Sequence, residues 1–266
     1  MFTIVGERIN MTRKPVREKV WERDAEYVSR EARKQTQKGA THIDVNAGGN
    51  PAKEVADMIW LTQTVAAATN LPLSFDSANP EALRAGLEIC NRPGTIINSI
   101  TGEAHRIEGI LPLVRQYNTG IVALTMDDNG MPEDYHGRMR ITHKLVATVR
   151  KAGIDTRRMY LDHLVRPAAT NPGDVRHVLR AITTSKQEYP AIHIALGMSN
   201  VSFGLPARNN LNRAFLAMLL AAGCDGAIMD PCEPGIMTML LSARVTLGLD
   251  QFGMEYITAY REDRLS

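Results

Sequence analysis

Short runs of β-branched and other apolar residues alternate along the chain with longer segments whose apolar positions recur every three or four residues. The first kind reads as buried strands and the second as amphipathic helices. Eight strands are predicted, over Thr3–Ile9, His42–Asn46, Leu73–Asp76, Thr95–Ser99, Ile121–Met126, Met159–Leu164, Ile192–Gly197 and Ala227–Asp230. The helices predicted between and after them are Asp24–Lys38, Ala52–Ala68, Pro80–Cys90, His105–Tyr117, Gly137–Lys151, Pro172–Glu188, Asn210–Ala222 and Pro234–Leu247. Glycine marks helix ends at Lys38-Gly39, Lys151-Ala152-Gly153 and Ala222-Gly223. Asn79-Pro80-Glu81 and Asn171-Pro172 read as helix starts, a capping side chain followed by proline. Eight strand–helix units in 266 residues predict an α/β fold, a single-domain (β/α)8 TIM barrel spanning 1–266. An open doubly wound sheet is the main competitor. It would more often carry fewer strands and a glycine-rich first turn, and Gly48-Gly49 after the second strand lacks the GxGxxG spacing.

Composition narrows the class. Hydrophobic residues make up 44% and charged residues 23%, enough for a buried core. Lys and Arg number 31 against 29 Asp and Glu, with no long run of either sign, which argues against a nucleic-acid or membrane-surface partner. No apolar stretch is long enough to span a membrane. The opening Met1-Phe2-Thr3-Ile4 lacks the basic and apolar regions of a signal peptide, so a soluble, cytoplasmic protein is expected. Cys90, Cys224 and Cys232 are few, odd in number and without a CxxC pair, which fits a reducing compartment and predicts no metal site.

Polar residues gather where each strand hands over to its loop, the end at which a barrel of this kind builds its site. In strand order they are Glu7 and Asn10; Asp44 and Asn46; Asp76-Ser77; Asn98-Ser99; Thr125-Met126-Asp127; Asp162-His163; Ser199-Asn200; and Asp230. Asp, Asn and Ser are ordinary turn formers and helix caps, which accounts for any one position better than for the whole series. Asp44 and Asn46 lie two apart on one strand and so face the same side. Buried carboxylates and amides need partners. With no lysine and almost no histidine in the series, Schiff-base chemistry, a histidine-centred triad and a phosphate-bearing substrate are all disfavoured. The donor and acceptor pattern suits a flat, neutral heterocycle with adjacent N–H groups, such as a nucleobase or a pterin.

The runs Ile4-Val5-Gly6-Glu7-Arg8-Ile9-Asn10, Asp44-Val45-Asn46, Phe75-Asp76-Ser77, Ile97-Asn98-Ser99 and Leu196-Gly197-Met198-Ser199-Asn200-Val201-Ser202 resemble the pterin-binding methyltransferases. With Arg208-Asn209-Asn210-Leu211-Asn212-Arg213-Ala214-Phe215-Leu216, the likeness covers the whole chain. More closely, the chain resembles the stand-alone methyltetrahydrofolate:corrinoid protein methyltransferases, relatives of the folate module of cobalamin-dependent methionine synthase and, more distantly, of dihydropteroate synthase. The resemblance implies a pterin-binding barrel that moves the N5 methyl of 5-methyltetrahydrofolate to the Co(I) of a corrinoid (cobalamin) on a separate corrinoid-binding protein, or the reverse. The chain itself would bind no metal, and a homodimer is expected. By position, Asp76, Asn98 and Asp162 hold the aminopyrimidine edge, and Asn200 approaches N5. Gly197 and Ser199 form the adjacent wall, while Glu7, Asp44 and Asn46 form the floor. Arg208 faces the para-aminobenzoyl-glutamate portion. Asn200, Asp76 and Asp162 are the residues expected to carry catalysis, the proton for N5 arriving through water and the nearby carboxylates.

Two positions depart from the expected pattern, and a third, Asp127, has two readings. Phe203 stands where a polar residue is expected, and would stack on the ring or shape the corrinoid approach if it lines the mouth. His163 replaces a proline and is expected to bond a neighbouring loop rather than to tune Asp162. Asp127 either joins the network or caps the next helix. The remaining histidines, His42, His105, His136, His143, His177 and His193, read as structural or surface groups. Two rivals share the pocket: dihydropteroate synthase, which would need a phosphate-handling loop and a basic pair near the last strand, and a non-catalytic folate-binding protein. A zinc-dependent methyltransferase would need a His/Cys ligand set that the sequence lacks.

Overall fold

A computed structural model describes residues 2–265. Eight parallel strands close in sequence order: β1 (Thr3–Gly6), β2 (His42–Asn46), β3 (Leu73–Asp76), β4 (Ile96–Ile100), β5 (Gly120–Leu124), β6 (Met159–Asp162), β7 (His193–Gly197) and β8 (Gly226–Met229), which pairs back onto β1. The helices are α1 (Lys14–Trp21), α2 (Ala25–Gln37), α3 (Glu54–Ala68), α4 (Pro80–Ile89), α5 (Ala104–Gln116), α6 (Tyr135–Lys151), α7 (Asp174–Glu188), α8 (Arg208–Ala222), α9 (Ile236–Thr246) and α10 (Met254–Arg261). The expected barrel is therefore present. Along β2, β3, β5 and β6 the outward residues Ile43, Val45, Phe75, Ile121, Ala123, Met159 and Leu161 are buried in one apolar cluster beneath the helices. A second cluster seals the other side through Ile194, Leu196, Phe215, Leu216 and Leu219.

Register sets the site. Asn46, Asp76 and Asn98 are direct neighbours across β2, β3 and β4, with Asp44 and Ser74 paired one layer below. On the opposite wall Asp162 pairs with Leu124 and Gly197 with Ile228. The inward positions of neighbouring strands thus bring their polar side chains to common levels.

Several boundaries differ from the expected ones. β1 stops at Gly6 instead of Ile9, because its ladder to β8 ends there; beyond it the chain stays against the barrel, the Ile9 carbonyl accepting from the Asn46 amide at 3.2 Å. The Asn171-Pro172 start fails: α7 begins at Asp174 behind Gly173, whose left-handed φ of 92° turns the chain into the helix. The Asn79 cap does form, its side chain accepting from the Glu81 amide at 2.9 Å. The helices α1 and α10 were not expected. α1 starts at Lys14 with Pro15 in its first turn and buries only Val16 and Val20, too narrow a stripe to stand out.

Gly86 on α4 lies against the Phe75 ring, which is fully buried beside Asp76. A β-carbon there would stand 2.7 and 2.9 Å from two ring carbons. Alanine gains about 1 kcal/mol in helix propensity, but crowding a ring with no room to move costs about 1–3 kcal/mol. Gly86→Ala is therefore expected to lower unfolding free energy by about 1 kcal/mol in denaturant titration; a stabilised variant would contradict this packing.

Candidate functional site

The mouth is built from two polar walls. On one, Asn46 Nδ2 donates to Asp76 Oδ2 at 2.7 Å, and Ser74 Oγ donates to Asp44 Oδ1 at 2.9 Å. Asp44 is 1% exposed. Burial, followed by the neighbouring Asp76 carboxylate, lifts its pKa well above the usual carboxylate range. Burial also raises Asp76, against the hydrogen bond from Asn46 and the field of Arg106. Arg106 reaches this wall from α5 and donates to the Ser99 carbonyl at 3.1 Å. Asn98 is buried beside them.

The other wall rests on Asp162. Its Oδ2 accepts from the Gly197 amide at 3.0 Å and its Oδ1 from the Leu164 amide at 2.7 Å. Burial pushes its carboxyl up to about 6, opposed by those amides and by Arg138. The backbone that carries it is held from below. Arg138, fully buried on α6, donates to the His163 carbonyl at 2.9 Å, the Leu164 carbonyl at 3.1 Å and Asp174 at 2.8 Å.

Gly197 leaves a slot. A β-carbon there would lie 3.6 Å from Asn200 Nδ2 and 3.9 Å from Asp162 Oδ2, so the bare glycine faces a space bordered by an amide donor and a carboxylate acceptor. Asn200 sits exposed on a 3₁₀ turn, Met198–Ser202. Next to it Ser199 Oγ donates to Glu7 Oε2 at 3.1 Å. Burial pushes the Glu7 carboxyl up to about 7, partly offset by that bond.

The structure brings Glu7, Asp44, Asn46, Asp76, Asn98, Asp162, Gly197, Ser199 and Asn200 to this one end. Arg208 lies at the rim, but its guanidinium is engaged: it donates to the Ser199 carbonyl at 2.7 Å and to Ser202 Oγ at 3.0 Å, fastening the turn that carries Asn200. Ser202 in turn donates to Asn212 Oδ1 at 2.7 Å, and Asn212 to Glu233 at 2.9 Å. Phe203 is 65% exposed with Arg208 over its ring at 5.9 Å.

Other expectations are corrected. His163 Nε2 meets Ser185 Oγ on helix α7 at 3.0 Å, so its partner is a helix and not a loop. Burial, then Arg138, drives its pKa down to about 3, leaving a neutral ring beside Asp162. Asp127 neither joins the network nor caps α6; it accepts from the Asn129 amide in a turn, and Asp134 caps the helix. Asp230 is held by Arg8 at 2.7 Å and by the Cys232 amide at 2.9 Å. The cations Arg106 and Arg138 were missed because only strand ends were read, and Arg8 was read only as part of the opening motif. A buried arginine on a helix differs from a surface one solely in its tertiary partners.

Among the described residues no helix is long and apolar enough to cross a membrane, and no group of three His, Cys, Asp or Glu is placed to hold a metal ion.

Comparison with known proteins gives the likenesses. Residues 6–230 match the pterin binding enzyme family. The chain is 32% identical over 264 residues to the methylcorrinoid:tetrahydrofolate methyltransferase of Eubacterium limosum, covering 98% of this chain and 97% of that protein. It is 31% identical over 239 residues to methionine synthase of Mycobacterium tuberculosis, but spans only 20% of that protein's length. The fold is shared with dihydropteroate synthase of Xanthomonas albilineans. Its complex with 7,8-dihydropteroate superposes with a TM-score of 0.66 at 18% identity, covering 94% of this chain and 92% of that one. The same enzyme with 4-aminobenzoic acid gives 0.69 at 19% identity, over 94% and 93% of the two chains.

The raised carboxyl of Asp162 fixes a sign. A group whose folded pKa lies above its unfolded value contributes stability that is fully present below the unfolded value, near 4, and lost as pH rises through about 6. Asp162→Asn carries no such proton. Whatever fixed cost the variant pays in altered hydrogen bonds, its stability relative to wild type is expected to improve by about 2–3 kcal/mol between pH 4 and pH 8 in denaturant titrations. A difference that stays constant with pH would contradict an Asp162 carboxyl raised by burial.

Proposed function

The chain belongs to the pterin-binding enzymes, and from that premise we propose that it is a methyltransferase acting between 5-methyltetrahydrofolate and the cobalt of a corrinoid carried by a partner protein. The whole chain, 1–266, works as one pterin-binding barrel. The observation that carries this reading is the slot at Gly197, bordered by the Asn200 amide and the Asp162 carboxylate. A flat ring laid there meets an acceptor for its N–H edge and a donor beside a ring nitrogen. Asp162, Asp76 and Asn98 take the aminopyrimidine edge, since two carboxylates and an amide match its adjacent donors. Gly197 and Ser199 line the wall, with Asn46, Asp44 and Glu7 beneath. Arg208 acts first by holding the Asn200 turn, and its place at the rim suits the glutamate carboxylates of the folate tail.

The corrinoid, when present, supplies the two-electron nucleophile at cobalt that takes or returns the methyl group. The residues of this chain serve the departing amine. A tertiary amine leaves poorly unless its nitrogen is hydrogen-bonded or protonated as the carbon–nitrogen bond breaks. An oriented donor that strengthens in the transition state contributes about 3 kcal/mol. Asn200 is exposed toward the mouth on a turn fixed by Arg208 and Ser202, so its amide can be such a donor.

A dihydropteroate synthase activity has less support. Its relatives here share the fold at under a fifth identity, whereas the methylcorrinoid relative is matched over nearly its full length. The loop after β8 offers Asp230 and Cys232 in place of a basic pair. We further place the enzyme in the cytoplasm as a homodimer. The exposed apolar side chains Leu247, Leu249, Phe252, Met254 and Tyr260 near the C-terminus support self-association.

Anaerobic mixing of the protein with 5-methyltetrahydrofolate and free cob(I)alamin is expected to bleach the Co(I) absorption and produce methylcobalamin. Asn200→Ala is expected to slow that transfer at least roughly tenfold. Absence of folate binding by the wild-type protein would overturn the reading, and wild-type turnover by Asn200→Ala would overturn the role of its amide.

A further inference from the structure

The carboxylates around the mouth differ in what holds them. Asp162 receives two backbone N–H groups, and Asp230 an arginine and a backbone N–H. Asp76 takes the Asn46 amide and feels the Arg106 charge. Asp44 has neither an arginine nor a backbone amide, but it lies at the floor under the other side chains, its partners being Ser74 and Asn98. Glu7 is bonded, among the described residues, by one side chain, the Ser199 hydroxyl at 3.1 Å, and is half-buried at the end of β1 where the mouth opens. Ser199 is also the neighbour of Asn200. Glu7 is thus a reachable mouth carboxylate with no ion pair among the described residues, and, unlike Asp76, it is joined by a hydroxyl to the turn beside N5 in the reading above.

On that reading of the function, we propose that Glu7 donates the proton to N5 when the methyl group leaves the folate and takes it back in the reverse reaction, with the Ser199 hydroxyl as the relay. In the forward step the bond between the methyl carbon and N5 breaks with its electron pair left on nitrogen. The carbon–cobalt bond forms from the cobalt electron pair, Co(I) becoming Co(III). The Glu7 proton passes to Ser199 Oγ while the Ser199 proton moves on to N5, and Glu7 is left as a carboxylate for solvent to reprotonate. Asn200 cannot fill this role, because a carboxamide has no proton to give at neutral pH. The relay needs only a reversal of the hydroxyl, which donates to Glu7 in the free protein. Charges facing Glu7 from the surrounding elements are Asp230 after β8, Asp44 on β2, Arg13 before α1 and Arg208 on α8. The arginines favour its charged form and the aspartates its neutral form, while burial dominates and leaves it near 7, where a proton shuttle is most effective.

The test is single-turnover transfer to and from free cobalamin, from about pH 5.5 to about 8.5, alongside 5-methyltetrahydrofolate affinity by calorimetry. For the wild-type protein the rate from methylfolate should fall as pH rises through about 7 while the reverse rate rises. Glu7→Gln, which keeps shape and neutral charge, should lose roughly 30-fold or more in both directions, with no inflection near 7 and folate affinity within about threefold. Ser199→Ala, which cuts the relay and spares Glu7, should lose roughly tenfold or more and provides the same test should Glu7→Gln fold poorly. A Glu7→Gln protein that keeps the wild-type pH inflection overturns the assignment, as does one that loses affinity and rate in equal proportion. Full speed in Ser199→Ala overturns the relay. A wild-type protein that transfers no methyl group at any pH overturns the functional reading itself, and the assignment with it.

Discussion

Asp162 accepts two backbone amides, that of Gly197, which ties the end of β6 to the end of β7, and that of Leu164 in its own loop. That bond pair fixes where Gly197 runs, and therefore where the slot beside Asn200 opens. The chain accepts local cost to keep it. Leu164, which donates the second amide, has a left-handed φ of 50°, a conformation that costs a non-glycine residue about 1 kcal/mol or more. Arg138 and Asp174 close beneath it as a buried ion pair. Such a pair is weak evidence for stability, since its desolvation consumes most of its attraction. Here its other hydrogen bonds go to the His163 and Leu164 carbonyls, so its value lies in fixing the backbone that aims Asp162.

The second constraint is electrostatic. Glu7, Asp44, Asp76 and Asp162 are all raised by burial, and Asp44 further by a neighbouring carboxylate. In the free protein these groups resist ionising together. A ligand that brings N–H donors supplies what the barrel withholds, so binding and ionisation are coupled. The cations near the mouth offset that deficit only in part: Arg8 is committed to Glu31 and Asp230, Arg138 to Asp174 and Arg208 to the turn it holds, while the Arg106 charge partly opposes the rise at Asp76.

Much of this was readable along the chain, for a physical reason. Parallel strands buried on both faces leave an apolar signature, and the bounds of β2 and β3 are reproduced residue for residue from it. The polar residues at strand ends could be enumerated because a closed barrel sends every strand end to one face, and Asp44 and Asn46 declared a common side by their spacing of two. What could not be read depends on contacts distant in sequence. β1 ends where its partner ends, although Glu7 to Ile9 continue the alternation. Asn171-Pro172 carries the local chemistry of a helix start, yet Gly173 governs the turn. The anchoring arginines are indistinguishable in sequence from solvated ones, and Asp127 and Asp230 look alike as strand-end acids although one makes a turn and the other an ion pair.

The coupling of binding to ionisation is open to direct measurement. Calorimetric titration with 5-methyltetrahydrofolate near pH 6, repeated in buffers of different ionisation enthalpy, counts the protons exchanged. With Asp162 near 6 and half protonated in the free protein, the donor edge of the pterin should draw it fully ionised, releasing about half a proton per site near pH 6 and falling toward zero by about pH 8. Binding with no proton release near pH 6, or with the same release at both pH values, would mean that Asp162 does not meet the pterin edge as a carboxylate, and would contradict the site as assigned.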